Sequence, residues 1–193
     1  MIRVLSDDGR SYPFDARAQG YGRGEGCASL IMKRLDAAVR DSDPIRAVIR
    51  GSGLSSDGRT AGITFPSGDA QESLIRGVYQ HAKLNPKDTV FVESHGTGTP
   101  TGDPIEARAI YKVFRENQPT PLPLYLGSIK GNIGHLEGAS GLASLIKAVL
   151  SLEKGQIPPT ANHKSPKANI PVNEWKMLVR HSCCLDRTEW KLN

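Results

Sequence analysis

Val90-Phe91-Val92-Glu93-Ser94-His95-Gly96-Thr97-Gly98-Thr99, continued by Pro100-Thr101-Gly102-Asp103-Pro104-Ile105-Glu106-Ala107, reads as a short strand, a glycine-rich loop and a helix start. The pattern returns at Leu124-Tyr125-Leu126-Gly127-Ser128-Ile129-Lys130-Gly131-Asn132-Ile133-Gly134-His135, continued by Leu136-Glu137-Gly138-Ala139-Ser140-Gly141. Each copy carries one histidine on the glycine-rich stretch behind an apolar run. In open α/β sheets, ligand sites gather just beyond the carboxyl ends of the strands. His95 and His135 are therefore expected to face one cleft.

Working outward, the helix after the first loop has its own start signals. Asp103 is the expected N-cap, Pro104 suits the first helical position, and Glu106 would close a capping box. That helix start sets where the loop bearing His95, Thr97 and Thr99 ends. After the second loop, Gly138 to Leu152 is apolar or small almost all round, which predicts an interior helix. Gly155 is a C-cap, and Ile157-Pro158-Pro159 stops the helix. Glu116 to Pro123 is a proline-rich connector between the two units. Trp175 to Val179 reads as one more strand within a polar, weakly patterned tail from Ala161 onward.

Upstream, Gly20, Gly22, Gly24 and Gly26 alternate without completing a nucleotide-binding fingerprint, and predict a tight bend with close backbone packing. Cys27 to Lys33 reads as a buried strand, with Cys27 a small core hydrophobe. A short helix over Leu35 to Arg40 stops near Asp43-Pro44, because the residue before a proline is pushed out of the helical region. Ile45 to Leu54 is strand-like. A helix from Asp69 presents Leu74, Ile75, Val78, Tyr79 and Ala82 on one face, with a structural His81 beside it.

A chain of 193 residues is one domain or a large part of one. Its net charge of +5 is scattered, with no basic run and no nucleic-acid motif, so no nucleic-acid partner is expected. No stretch approaches the roughly eighteen apolar residues of a membrane span, and no signal peptide opens the chain, so it reads as cytoplasmic. Cys27, Cys183 and Cys184 are an odd set that reads as reduced thiols. His181-x-Cys183-Cys184 is too compressed for a zinc site, and no metal is expected. A P-loop and a nucleophile elbow are both missing.

HGTGTPTGDPIEA and KGNIGHLEGASGLASLIKAVL resemble the two histidine motifs of β-ketoacyl synthases, most closely the ketosynthase domain of polyketide synthases. Leu5-Ser6-Asp7-Asp8-Gly9-Arg10, Phe14-Asp15-Ala16-Arg17 and Gly20 to Gly26 are similar to the same domain in the right order, and the likeness fades after Pro171. The resemblance implies a layered α/β/α thiolase-like fold, incomplete at both ends. Residues 1–36 would end the N-terminal half, and 37–193 would form the C-terminal half without its final segment. It also implies decarboxylative Claisen condensation of acyl and malonyl thioesters. No cofactor is bound directly, since the substrates ride on the phosphopantetheine of an acyl carrier protein. The implied partners are that carrier protein, other synthase domains and a second copy when complete.

By the same resemblance, His95 and His135 donate N–H to the thioester oxygen as the enolate forms. Lys130 orients His135 and shapes its field, and Thr97 and Thr99 hydrogen-bond the pantetheine amides. Such enzymes carry their nucleophile in a Thr-Ala-Cys-Ser-Ser type sequence, a context that none of Cys27, Cys183 and Cys184 has. Two further readings stay open for this reason. One is a nucleophile-free decarboxylase of malonyl thioesters, and the other a non-catalytic module that docks a carrier protein or a ketosynthase.

Overall fold

Three parallel strands, β1 (Phe91–Glu93), β2 (Leu124–Gly127) and β3 (Met177–Val179), lie in the order β1-β2-β3. The computed structural model describes residues 4–62, 65–117 and 123–180. Val92 pairs with Leu126 and Glu93 with Gly127, while Leu124 pairs with Met177 and Leu126 with Val179. Side chains alternate across a strand. Leu124, Leu126, Met177 and Val179 therefore share one face, where they are buried with Ile110, Val113 and Phe114 of helix α3 (Gly102–Phe114). Phe14, Ile170 and Val172 complete this core. The opposite face meets helix α5 (Ser140–Lys154). A parallel sheet needs both faces covered, and these two helices form the outer layers.

The expected helices at Leu35–Arg40 (α1) and Gly68–His81 (α2) are present. Ser67 caps α2, its Oγ accepting from Ala70 N at 3.1 Å. α2 packs on α3, and Lys112 joins them through Glu72 at 2.9 Å. His81 is exposed and hydrogen-bonds the carbonyl of Gly77 through its ring, as a structural residue would. A four-residue helix α4 (Lys130–Ile133) opens the second histidine loop.

Three expectations are corrected. Cys27 to Lys33 forms no strand: Cys27 is exposed, as are Ile31 and Met32. Ile45 to Leu54 also stays unpaired, running along α2 where Gly51 and Gly53 approach Val78 and Leu74. Both stretches have a strand's pattern, but a strand also needs a neighbouring edge to complete its hydrogen bonds, and no described strand lies beside them. α5 is not an interior helix, since only Ser140 and Lys147 are buried along it. One side rests on β1, and the other lines an apolar cleft of about 600 Å³ that includes Ile146 and Leu150.

Smaller differences concern boundaries. α5 begins at Ser140 after a tight 3-10 turn over Glu137–Ala139, and β3 begins at Met177. His181, Cys183 and Cys184 lie outside the described residues, as does most of the connector before Pro123. Among the described residues no helix is long and apolar enough to cross a membrane.

Candidate active site

β1 and β2 are adjacent and parallel, so the loops leaving their carboxyl ends are adjacent too. His95 follows the end of β1, and His135 follows α4 beyond the end of β2. Their ring centroids are 5.3 Å apart and the planes stand at 85°. Lys130, on the first turn of α4, is almost completely buried. The fold thus brings together the two histidines and the lysine that the sequence singles out.

The first loop is held by carboxylates from the helix it feeds. Glu106 accepts from the amides of His95 at 2.6 Å and Gly96 at 2.8 Å, one on each carboxylate oxygen. Asp103 accepts from Gly98 at 3.0 Å, Thr99 at 3.2 Å and Phe14 at 2.7 Å. The expected capping box is therefore corrected. α3 starts two residues earlier, at Gly102 with Thr101 as its N-cap, and both acids reach back to the loop instead of their own first turn. A neutral hydroxyl does the capping, with Thr99 Oγ1 accepting from Gly102 N at 3.1 Å. Thr97 is buried, and its hydroxyl lies 3.3 Å from that of Thr99. Both threonines stand on the His95 loop, with the Thr99 hydroxyl also engaged by the helix start.

Gly96 has a φ of 41°, in the left-handed region, and a Cβ there would sit 2.7 Å from Ser128 Cβ. Only glycine accepts both conditions without strain. Ser128 Oγ donates to the Gly96 carbonyl at 2.9 Å, so the second loop is tied to the first.

The second loop is held by backbone. His135 N donates to the Gly22 carbonyl at 2.8 Å, and Gly24 N donates to the His135 carbonyl at 2.9 Å. A Cβ at Gly22 would lie 2.0 Å from the Gly9 oxygen, and one at Gly24 2.3 Å from the Ile133 oxygen. The alternating glycines thus permit the close approach that the sequence predicts. Glu137 N donates to His135 Nδ1 at 2.9 Å. An amide nitrogen can only donate, so Nδ1 carries no proton and the neutral ring carries it on Nε2. The Tyr21 ring rests against His135, with centroids 4.9 Å apart.

Burial and the nearby Lys130 ammonium push His95 down to about 4, although the residue as a whole is still exposed on the surface. Burial first, then Lys130, lowers His135 as well. Both rings are neutral N–H donors near pH 7. Burial also lowers Lys130, while Glu106, Glu93 and Asp103 oppose the shift. Glu106 is pushed up to about 7 by burial, against the pull of its two amide hydrogen bonds.

Sequence reasoning missed Glu93, Ser128, Lys147 and the amide of Glu137. Two of these left a signal. Glu93 ends an apolar strand and Lys147 is the lone cation inside an apolar helical run, so opposite charges were set in segments otherwise suited to the interior.

The family model described as "Beta-ketoacyl synthase, C-terminal domain" matches residues 46–164, and the corresponding N-terminal domain model matches residues 1–38. The chain belongs to the β-ketoacyl synthase family. A highly reducing polyketide synthase of Aspergillus terreus is 58% identical over 178 residues, covering 92% of this chain and 7% of the relative. The 6-hydroxymellein synthase of Talaromyces verruculosus is 60% identical over 160 residues, covering 83% of the chain and 6% of the relative. The ketosynthase from module 6 of the bacillaene synthase of Bacillus subtilis 168 matches with a TM-score of 0.89 and 38% identity. That match covers 93% of this chain and 32% of the solved one. An oxazolomycin ketosynthase domain of Streptomyces albus matches with a TM-score of 0.87 and 31% identity, covering 92% and 31%. The thiolase-like ketosynthase fold follows, and the chain spans only a small part of the curated synthases it matches.

Proposed function

We propose that the chain is the ketosynthase segment of a polyketide synthase, in which His95 and His135 stabilise the enolate of a decarboxylative Claisen condensation. The observation that carries this reading is the pair of neutral imidazoles 5.3 Å apart, one with Nε2–H set by its neighbour. In the reaction, the bond between malonyl C2 and its carboxylate breaks and carbon dioxide leaves. The electron pair moves into an enolate whose charge gathers on the thioester oxygen. Two preset N–H donors stabilise that charge where it develops. The enolate carbon then attacks an acyl thioester held on the cysteine of the Thr-Ala-Cys-Ser-Ser type sequence of ketosynthases. A carbon–carbon bond forms and the cysteine thiolate leaves.

Lys130 serves by charge, holding both rings neutral and setting the field around His135. Thr97 and Thr99 offer hydroxyls to the pantetheine amides, so the substrates arrive on an acyl carrier protein and no cofactor is bound directly. The reading divides the chain into residues 1–36, the end of the N-terminal half, and 37–193, the C-terminal half; the N-terminal family model stops at residue 38 and the C-terminal one starts at residue 46. A cytoplasmic setting, other synthase domains and a homodimer complete the reading.

The test is a chimera in which residues 4–180 replace the matching stretch of the Aspergillus terreus synthase. Retained condensation, lost on His135→Ala, is the expected result. A folded chimera that loads acyl groups but makes no carbon–carbon bond overturns the reading. A second reading, malonyl-thioester decarboxylation without condensation, is favoured by one fact: both imidazoles are assembled by this chain alone. Carbon dioxide release from malonyl-pantetheine by the isolated chain, absent in His95→Ala, would support it.

A further inference from the structure

Glu93 and Lys147 form an ion pair that the proposed chemistry does not use. Lys147 Nζ lies 2.6 Å from Glu93 Oε2, with side chains only 7% and 5% exposed. Removing two charges from water costs several kcal/mol per ion, so a buried pair is poor evidence of added stability. Its position is more informative. Glu93 ends β1, opposite Gly127 in the ladder and two residues before His95. Its second oxygen, Oε1, accepts from Ile129 N at 2.7 Å, immediately before Lys130 and α4. Lys147 reaches this point from α5, with Nζ 5.7 Å from the Phe91 ring centroid.

The pair has room because of Gly127. A Cβ there would sit 3.2 Å from Lys147 Nζ and 3.3 Å from Glu93 Oε2. One carboxylate thus joins three elements: the strand that leads to His95, the turn that leads to Lys130 and His135, and the helix behind both loops.

We infer that Glu93 is a positioning residue for the paired histidines, clamping the end of β1 to the turn that carries Lys130, and that Lys147 holds the clamp in register. This rests on the reading of His135 as an N–H donor. Its test reads geometry instead of turnover, so the two fail separately.

The test uses the full chain labelled with 15N. In the unaltered protein the Ile129 amide should exchange with solvent at least about a hundredfold more slowly than an open loop amide. Unprotected exchange there overturns the clamp whatever any variant does. Two double variants then remove the buried charges while differing in the acceptor. E93Q/K147M keeps an oxygen for Ile129 N, whereas E93M/K147M does not. The first should retain Ile129 protection and the His135 Nδ1 signal of a hydrogen-bonded acceptor. The second should lose both, with its Nδ1 signal moving toward that of a freely exchanging imidazole. A merely structural pair predicts two folded variants with the same His135 signal, and that result would reject the proposal.

Discussion

The two histidine loops do the same geometric job with different materials. The His95 loop hangs from the side-chain carboxylates of Asp103 and Glu106, so its anchors take part in acid–base equilibria. The His135 loop is laced to Gly22 and Gly24 by main-chain hydrogen bonds, which do not titrate. Neutral donors are obtained at both places, but only the backbone at His95 and Gly96 is held by a group whose charge responds to pH, while the backbone at His135 is held by main-chain partners. Charge-assisted hydrogen bonds are stronger than neutral ones, and that strength depends on the charge remaining.

The largest effect should come from the rings themselves. His95→Ala or His135→Ala in the chimeric synthase is expected to lower the condensation rate on the order of 10²–10³ each. Single-turnover carbon dioxide release measures this, and a loss below tenfold for either would show that the donors are not equivalent.

Next is the backbone lacing. Gly24→Ala places a methyl 2.3 Å from the Ile133 carbonyl oxygen, where a backbone atom has to move. Overpacking of this kind costs about 1–3 kcal/mol. Urea denaturation should show that loss, and the His135 ring signal should shift while that of His95 holds. Equal movement of both signals would mean that the loops are not independently anchored.

Glu106→Gln probes the titrating anchor. An amide offers one acceptor where the carboxylate offers two, leaving one loop N–H unpaired at a cost of about 1–3 kcal/mol. The pH dependence has a definite sign. Glu106 moves from 4.5 up to about 7 on folding, so between those values the folded chain holds an extra proton. Its contribution is present in full below pH 4.5 and is lost as pH rises through 7. His95 acts oppositely: its shift from 6.5 to about 4 makes stability fall as pH drops across that window. Without Glu106, stability should climb more steeply from pH 4.5 to 7 than in the unaltered chain. An unchanged slope would remove Glu106 as the pH-sensitive anchor.

The smallest effect is expected at the outer edge of the second loop. Tyr21→Phe loses only the 3.3 Å hydrogen bond to Glu137, and the ring stays against His135. Stability should change by less than about 0.5 kcal/mol, with the His135 signal unmoved.

Much of this was legible because local patterns were read on segments that carry their own instructions. The strand–loop–helix repeats placed His95 and His135 at neighbouring strand ends, and the glycine alternation announced close packing. What failed depended on partners distant in the chain. Asp103 and Glu106 look like caps because their spacing fits one, yet the amides of a loop and of Phe14 compete for the same oxygens and win. Cys27 to Lys33 and Ile45 to Leu54 look like strands, but alternation says which residues want to be inside, not whether an edge is available. The α5 run was apolar enough for an interior, while its surroundings leave one flank open.

The amide of Glu137 has one further effect. By occupying Nδ1 it leaves His135 a ring that can lend its remaining proton but has no free site to receive one. Surrendering that proton would make an imidazolate in a buried site, at a large desolvation cost. In the proposed reaction the enolate therefore rests against a donor that is a poor acid. On that reading the carbanion would live longer against premature quenching to an acetyl thioester, and each malonyl unit consumed would more often be joined to the growing chain.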